Sequence, residues 1–341
     1  MHSNLTIGII GTGFGKMIGL NFKAVDPSVK IYYYGRSKDK LETAVKEVGA
    51  EGTYDSWQEL VKDPKIDLVV IANHSSGHKE VFDLATKYDK NILVEKPAAI
   101  TSSEISEMNK SFSSRDKIVV VNHEGRFHPV ITYIKDLIDS KKLGDIMTIR
   151  MGAYLNWYSN PEYKENWNNY KLFGGGQIFS VGSHQLDLIR YLLNFPQVIS
   201  GSVQDIVYPD IRFKNKPTAD SQFTAHFKTD KGTSIQVFND CYCFGYKDIT
   251  IEVVGSKGIV MYSDTKGLKT SFANSEPLTE VKWIDPITEV TLGNSILSKS
   301  MKYMAKALIE SIKHNKKDTR FCTLLQEKEN LELFEKYKLT K

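Results

Sequence analysis

Cysteine and net charge are both scarce in this sequence. Three cysteines among 341 residues cannot form a disulfide framework, so we expect a protein of the reducing cytoplasm rather than a secreted scaffold. The formal net charge is only +4, an excess too small and too dispersed to indicate a nucleic-acid partner. Cys241 and Cys243 lie two residues apart, and a lone C-x-C spacing is weak support for a metal site.

Long apolar runs, repeats and flexible linkers are also missing. No run of roughly 18 apolar residues occurs, so no membrane-spanning helix is predicted. Met1 leads into the apolar segment Leu5–Ile10 without a basic region or a cleavage site, so we expect no secretory signal. The composition, 41% hydrophobic and 25% charged, is that of a globular protein, and the length favours two domains. Because no Pro- or Gly-rich segment separates them, we expect a tight junction.

The first part of the chain alternates between apolar strands and helices. The run 66–72 is almost continuously apolar, which is typical of a strand buried on both faces of a parallel sheet. Further strands are predicted at 5–10, 31–34, 91–94 and 117–121, with helical stretches between them. This alternation predicts a doubly wound α/β domain over residues 1–122.

The pattern changes after residue 122. Helices are predicted at 129–140 and 183–193, a long strand at 145–156, and five strands at 198–207, 219–228, 233–239, 246–254 and 258–263, followed by helices at 297–315 and 323–338. Consecutive strands with short turns predict a large, mainly antiparallel open sheet in a second α/β domain over residues 123–341. An exposed sheet face needs covering, so we expect a homodimer or homotetramer formed through this sheet.

A glycine-rich turn follows the first strand and opens a helix. It reads Gly11, Thr12, Gly13, Phe14 and Gly15. Glycines let a diphosphate approach the backbone, and the free N–H groups of the helix start favour an anion. The third glycine falls one place earlier than in the usual spacing, but the position after a first strand favours dinucleotide binding.

The end of the second strand indicates which dinucleotide is bound. A carboxylate there would bind the ribose hydroxyls of NAD, but the sequence has Arg36 and Ser37 instead, with Lys38 next to them. Arginine is suited to bidentate phosphate binding. We therefore expect NADP(H) to be favoured over NAD(H). The alternative interpretation is a solvated helix start.

Two charged residues and a proline end another buried strand, as Glu95, Lys96 and Pro97. Ligands of this fold lie beyond the carboxyl ends of the strands, so Lys96 is placed to hydrogen-bond a substrate hydroxyl and Glu95 to orient it or the cofactor. A surface ion pair is the alternative for this tripeptide alone.

Together with further motifs, these features resemble the glucose–fructose oxidoreductase/inositol dehydrogenase (Gfo/Idh/MocA) family. The motifs occur in order along nearly the whole chain: the glycine turn at 11–15, Asp67–Ala72 with His78 after it, Glu95-Lys96-Pro97, Arg126–Pro129, Trp167 before Gly174–Gly176, Gly182–Asp187 in a G-x-H-x-x-D pattern, and Val253–Gly258. The resemblance implies that residues 1–122 form an NAD(P)-binding Rossmann domain and residues 123–341 a substrate-binding α/β domain. It also implies an NAD(P)-dependent dehydrogenase or reductase acting on the CH–OH group of a sugar, sugar nucleotide or cyclitol. It implies that Lys96 and His184 are catalytic, with His184 accepting the proton of the hydroxyl.

Further site residues are predicted around these two. We expect Asn73, His74 and His78 to contact the cofactor and no metal ion to be bound, since no acidic ligand accompanies the two histidines. Arg126 stands where the family often has a substrate- or cofactor-facing arginine, and a structural ion pair is equally open for it. Aromatic and amide groups suit sugar rings, so Tyr154 and Trp167 are predicted to bind substrate, with packed loop positions as the alternative.

Two departures from the family pattern stand out. Ser180 occupies the position, four residues before His184, where the family usually has Asp. Serine supplies no charge, so we expect Ser180 to bind substrate while Asp187 or Glu124 takes over the carboxylate's role. Asn73 and His74 stand where Thr-Pro is common. Two alternatives therefore stay open: glycoside cleavage with cofactor recycling, and a dinucleotide-binding sensor without turnover.

Overall fold

The structure, a computed structural model, describes residues 4–208, 212–273, 278–281 and 296–338. The chain forms two compact units, each discontinuous in sequence. The first unit comprises Met1–Glu124 and Lys299–Glu329, and the second comprises Gly125–Ser298 and Asn330–Lys341. The first boundary falls two residues beyond the predicted one. Residues 299–329, which linear order assigned to the second domain, pack with the first unit.

The first unit is built on a six-stranded parallel sheet in the order β3-β2-β1-β4-β5-β6. Its strands are β1 (Thr6–Ile10), β2 (Lys30–Tyr34), β3 (Gly52–Thr53), β4 (Leu68–Ile71), β5 (Asn91–Val94) and β6 (Val119–Val121). Every residue of β1 and β4 is buried, as expected for central strands covered on both faces. The predicted Rossmann sheet is confirmed, and β3, too short for a sequence pattern, is the strand it missed.

Helices connect these strands: α1 (Phe14–Val25), α2 (Lys38–Val48), α3 (Trp57–Lys62), α4 (His78–Lys87) and α5 (Ser102–Phe112). Local capping explains two of the starts. The side chains of Ser56 and Thr101 accept hydrogen bonds from the third residue of α3 and α5, which satisfies an N–H that the helix itself leaves open. The carboxyl ends of β1, β4 and β5 thus lead directly into the segments that carry the predicted cofactor residues.

The second unit contains an eight-stranded sheet in the order β14-β13-β12-β11-β7-β10-β9-β8. Its strands are β7 (Ile146–Tyr154), β8 (Val198–Ile206), β9 (Gln222–Thr229), β10 (Ser234–Asp240), β11 (Asp248–Gly255), β12 (Gly258–Ser263), β13 (Gly267–Phe272) and β14 (Thr279–Glu280). All described pairings are antiparallel except that of β7 with β10. The predicted mainly antiparallel sheet is confirmed, with β13 and β14 added to it.

One face of this sheet packs against helices α6 (Pro129–Asp139) and α7 (Ser183–Leu192). Alternate residues of β7, among them Ile149 and Met151, join the core with Leu186 and Ile189 of α7. The opposite face carries a row of paired positions across six strands: Met261, Glu252, Arg150, Gln236, His226 and Ser202. We call this the outer face of the sheet.

Two long helices complete the described chain. Helix α8 spans Ile296–His314 and α9 spans Leu324–Tyr337. Just before α9, the backbone of Cys322 bridges to Val121 at the end of β6, which fixes the start of α9 to the first unit. Within the described ranges, no helix is both long and apolar enough to cross a membrane.

Candidate active site

The glycine turn forms a backbone cradle between β1 and α1. Gly11 has a φ of +116°, and a Cβ there would lie 2.2 Å from the carbonyl oxygen of Ala72. Only glycine fits this position. At Gly13, by contrast, an added Cβ would meet nothing within 4 Å. The turn is therefore tight against β4 and open on the side from which an anion reaches the first N–H groups of α1. These features fit the diphosphate of a dinucleotide.

Arg36 lies on the surface just after β2, where no carboxylate is present. The Cβ of a larger residue at Gly35 would come within 2.5 Å of Thr12, so the end of β2 approaches the glycine turn closely. Burial and the positive charge of Arg36 both lower the pKa of His74, which places these two side chains within electrostatic range of each other. Ser37 is exposed at the N-cap of α2.

His78, the first residue of α4, is buried, and its predicted contact with the cofactor stays a prediction. Its two ring nitrogens lie 3.0 Å from the carbonyl oxygen of Asn73 and 3.1 Å from that of Pro97. Burial lowers its pKa to about 4, so the ring is neutral at physiological pH. Asn73 Oδ1 is buried and has no hydrogen-bond partner among the residues that the structure describes. A buried acceptor without a partner, next to the glycine turn, is a position where a bound ligand could donate a hydrogen bond.

Lys96, at the end of β5, is half-buried among acidic groups of its own unit. Burial lowers its pKa, and the carboxyl groups of Glu95, Glu124 and Glu327 act in the opposite direction. Glu95 is buried and accepts a hydrogen bond from the amide of Asn122. Burial raises the pKa of Glu95 to about 7 and, together with repulsion by Glu95, that of Glu124 to about 8. Titratable groups this strongly perturbed at strand ends are typical of catalytic sites.

The last carboxylate of this cluster comes from the C-terminal part of the chain. Glu327 Oε1 accepts a hydrogen bond from the backbone N–H of Ala98 at 3.2 Å, and Glu327 Oε2 lies 2.7 Å from Nε2 of His123. The sequence predicted neither Glu327 nor Asn122 as a site residue. No motif marks Glu327, whereas Asn122 and His123 were visible as polar residues that directly follow a buried strand.

In the second unit, His184 is the second residue of α7 and is buried. A π-helical turn over Ile178–Gly182 precedes it, a geometry that is rare and frequent at functional sites. Ser180 lies in this turn and its hydroxyl donates to Oε1 of Gln177 at 3.3 Å. The structure thus places the departure from the family pattern, Ser180, in the irregular turn that presents His184.

Arg126 and Asp187 are bound to each other. Arg126 Nε and Nη2 donate to the two carboxylate oxygens of Asp187 at 2.7 and 2.6 Å, and neither side chain is exposed. Asn330 also donates to Asp187, at 3.0 Å. The structure therefore shows the ion pair, which was one of the two alternatives for Arg126. A substrate role for Arg126 and Asp187 stays a prediction. Glu124 and Asp187 were suggested as substitutes for the family Asp. Glu124 interacts electrostatically with Lys96, whereas Asp187 is ion-paired with Arg126.

The two aromatic residues predicted to bind substrate lie in different surroundings. Trp167 is 45% exposed in a short 3₁₀ turn. Tyr154 follows the alternation of β7 onto the outer face, where its ring contacts Phe238 and Tyr246 edge to face. Their substrate contacts stay predictions. Among the described residues of the first unit, the glycine turn, Asn73, His74, His78, Glu95 and Lys96 all follow the carboxyl ends of the parallel strands.

Two family models match this chain. The model described as "Oxidoreductase family, NAD-binding Rossmann fold" matches residues 5–123, and that of the "GFO/IDH/MocA C-terminal domain" matches residues 131–261. Together they cover most of the chain.

Curated relatives are similar over parts of their length. A 1-carboxy-3-chloro-3,4-dihydroxycyclohexa-1,5-diene dehydrogenase of Comamonas testosteroni is 27% identical over 252 residues, 74% of this chain and 61% of that protein. A levoglucosan dehydrogenase of Pseudarthrobacter phenanthrenivorans is 29% identical over 202 residues, 56% of this chain and 51% of that protein. The matched regions thus span between half and two thirds of these relatives.

A solved structure of levoglucosan dehydrogenase in complex with NADH and levoglucosan has the same fold, with a TM-score of 0.88. It is 20% identical, and the match covers 98% of this chain and 96% of that one. At this identity the likeness shows the fold alone.

Proposed function

Because the chain belongs to the Gfo/Idh/MocA oxidoreductase family, with its NAD-binding Rossmann fold, we propose that it transfers hydride between a nicotinamide dinucleotide and a secondary alcohol or ketone of a sugar, sugar nucleotide or cyclitol. The observation that carries the proposal is Lys96: an ammonium half-buried among carboxyl groups at the end of a Rossmann strand. The names of the relatives, which are dehydrogenases of a cyclic diol and an anhydrosugar, support this substrate class.

The residues present fit a dinucleotide. Gly11, Gly13 and the N-terminus of α1 would hold the diphosphate, with Thr12, Phe14 and Gly15 completing the turn. The Oδ1 of Asn73 and the side chain of His74 would contact the rest of the molecule, and the buried ring of His78 lies behind them against the backbone of Asn73 and Pro97. When bound, the nicotinamide ring supplies the acceptor or donor of hydride.

Lys96 and His184 have distinct roles in the proposed reaction. The protonated Lys96 donates a hydrogen bond to the substrate oxygen and stabilises negative charge that develops on it. His184 accepts the hydroxyl proton in oxidation and returns it in reduction, because an imidazole ordinarily titrates near neutrality. The C–H bond of the carbinol breaks with both electrons leaving as hydride, and the O–H bond breaks with its proton passing to His184.

Substrate binding is assigned to Ser180 and Trp167, with Arg126 and Asp187 in supporting positions, whereas Tyr154 lies on the outer face of the sheet, opposite to the face that packs against α7. Ser180 offers a hydroxyl in the turn before His184, and the exposed indole of Trp167 suits the apolar face of a sugar ring. The buried Arg126–Asp187 pair holds the N-terminal half of α7, since Asp187 is three residues after His184. Through this helix the pair orients the histidine.

For the cofactor, we propose a preference for NADP(H) over NAD(H). An exposed Arg36 at the end of β2, followed by the Ser37 hydroxyl, suits the 2′-phosphate, and no carboxylate stands there to bind ribose hydroxyls.

For the assembly, we propose a cytoplasmic homodimer or homotetramer formed through the outer face. That face carries exposed Met261 together with the half-buried side chains Phe238 and Tyr154, which a second copy would cover. Light scattering after size exclusion tests this, and a monomer would contradict it.

The activity is tested by screening sugars, sugar nucleotides and cyclitols with NAD⁺ and NADP⁺ and following nicotinamide absorbance. Lys96→Met and His184→Ala serve as matched variants. Turnover that both variants abolish, with cofactor binding retained, supports the proposal. Full turnover in Lys96→Met would overturn it. A tightly bound cofactor without turnover on any compound would favour a sensor, an alternative that Ser180 supports because it brings no charge to the position of the family Asp.

A further inference from the structure

Glu327 reaches the Lys96 segment from the opposite end of the sequence. It lies in the first turn of α9, and 229 residues separate it from Ala98, whose backbone N–H donates to its carboxylate. Its other oxygen is 2.7 Å from Nε2 of His123, and the side chains of His123 and Glu327 are 1% and 2% exposed. One buried carboxylate therefore joins the turn after β5 to His123, two residues beyond the end of β6.

The Ala98 contact bears directly on Lys96, because only Pro97 separates the two residues. The carbonyl oxygen of Pro97 in turn lies 3.1 Å from Nδ1 of the buried His78. The backbone that carries the ammonium thus packs against His78 of α4 and is fixed by a hydrogen bond to Glu327 of α9. A side chain that must meet a substrate oxygen gains from such fixation, because a displacement of about 1 Å can cost about 10²-fold in rate.

The charge of Glu327 also acts on Lys96. The titratable groups that face the ammonium are Glu95 at the end of β5, Glu124 in the turn after β6 and Glu327 on α9. His123 interacts in turn with Glu95 and Glu124. Glu95 and Glu124 have pKa values raised to about 7 and about 8, so both are partly protonated near neutral pH. Both carboxylate oxygens of Glu327 have a nitrogen within hydrogen-bond distance, the backbone N–H of Ala98 and Nε2 of His123.

We propose that Glu327 is the positioning residue of Lys96: its carboxylate fixes the Lys96–Ala98 turn and places a negative charge beside the ammonium. The inference rests on the proposed function, in which Lys96 donates to the substrate oxygen. It assigns to α9, a helix remote in sequence from every predicted site residue, a part in the chemistry of the Rossmann unit.

The test compares Glu327→Gln and Glu327→Asp with Glu335→Gln, an exposed glutamate on the same helix. The first readout needs no substrate: Lys96 is labelled with trinitrobenzenesulfonate over a pH series, and its peptide is quantified by mass spectrometry. We expect labelling on the order of tenfold faster at neutral pH in Glu327→Gln, because loss of the charge lowers the pKa of Lys96 and one pKa unit is a tenfold change in free amine. Glu335→Gln should label like the wild type, and Glu327→Asp should restore most of the wild-type profile.

The second readout is turnover. Glu327→Gln should lower kcat by about tenfold or more and shift the basic limb of its pH profile downward, while the KM for the cofactor is unchanged. Unchanged labelling and unchanged kcat in Glu327→Gln, with Lys96→Met inactive, would overturn this inference and leave the proposed function standing. An active Lys96→Met would instead overturn the proposed function. Should Glu327→Gln fail to fold, Glu327→Asp provides the test. The shorter side chain keeps the charge, so the labelling of Lys96 stays near that of the wild type, but it withdraws the carboxylate from Ala98, so kcat should fall. An unchanged kcat in Glu327→Asp overturns the positioning role.

Discussion

Arg126 and Asp187 form a two-point ion pair that is completely closed to solvent, at 2.6 and 2.7 Å. The guanidinium also lies 5.0 Å from the ring of Phe195, and Asn330 donates to the same carboxylate. Both carboxylate oxygens of Asp187 are therefore used in hydrogen bonds within the protein. Removal of either partner leaves an uncompensated buried charge, which is the costly event for such pairs.

We therefore expect Arg126→Ala to lower the free energy of unfolding by about 3–5 kcal/mol. Urea denaturation followed by circular dichroism measures this. Arg115, whose guanidinium is 3.8 Å from exposed Asp89, provides the control, and Arg115→Ala should cost less than about 1 kcal/mol. Equal, small losses in both variants would contradict a structural role for the Arg126 pair and would favour the substrate role predicted from the sequence.

The glycine turn predicts two separable effects. Gly11→Ala should destabilise the fold, because a Cβ would lie 2.2 Å from Ala72 O and φ is +116°. Gly13→Ala meets nothing within 4 Å, so it should fold normally and lose affinity for the cofactor, since its methyl group occupies the side open to the diphosphate. Thermal unfolding and cofactor titration by fluorescence check the two. Wild-type cofactor affinity in Gly13→Ala would contradict the placement of the diphosphate.

Cofactor preference is expected to depend on Arg36. Arg36→Ala should weaken NADP(H) binding by about 1–3 kcal/mol, the range of a charge-assisted hydrogen bond, while NAD(H) binding changes little. Isothermal titration with both dinucleotides measures the difference. Lys38→Ala, one helix position beyond Ser37, is the control for general positive charge. If wild-type protein binds NAD(H) more tightly than NADP(H), the proposed preference is wrong.

Much of the first unit is predictable from the sequence because its signals are local. Continuous apolar runs mark β4 and β5, and a glycine turn after β1 needs only neighbouring residues to be recognised. Glu327 could not be predicted as a site residue, since its contact with Ala98 depends on a chain return over 229 residues. The Arg126–Asp187 pair was left open for the same reason: 61 residues separate two side chains that each suit a substrate equally well. Strand β3, with two residues, carries too little pattern to be read.

Acid should destabilise the protein partly through His78. Burial lowers its pKa from 6.5 to about 4 in the folded state, so the folded protein favours the neutral ring. The stability that this contributes is complete above pH 6.5 and is lost as the pH falls from 6.5 toward 4, because the unfolded state then binds a proton that the folded state does not. The full effect is about 3 kcal/mol.

His78→Gln removes this titration, so its free energy of unfolding should vary less between pH 6.5 and 4 than that of the wild type. His314→Gln at the exposed end of α8 is the matched control and should keep the wild-type slope. Urea unfolding at a series of pH values measures both. The neutral ring of His78 donates to one of the two carbonyl oxygens beside it, and the glutamine variant should also lose stability at neutral pH, because it breaks this hydrogen bond and leaves part of the buried space of the ring unfilled. A wild-type slope in His78→Gln would show that the acid sensitivity comes from groups other than His78. The buried carboxyls of Glu95 and Glu124 are not those groups, because their pKa values are raised in the folded state and their protonation therefore stabilises the folded state as the pH falls.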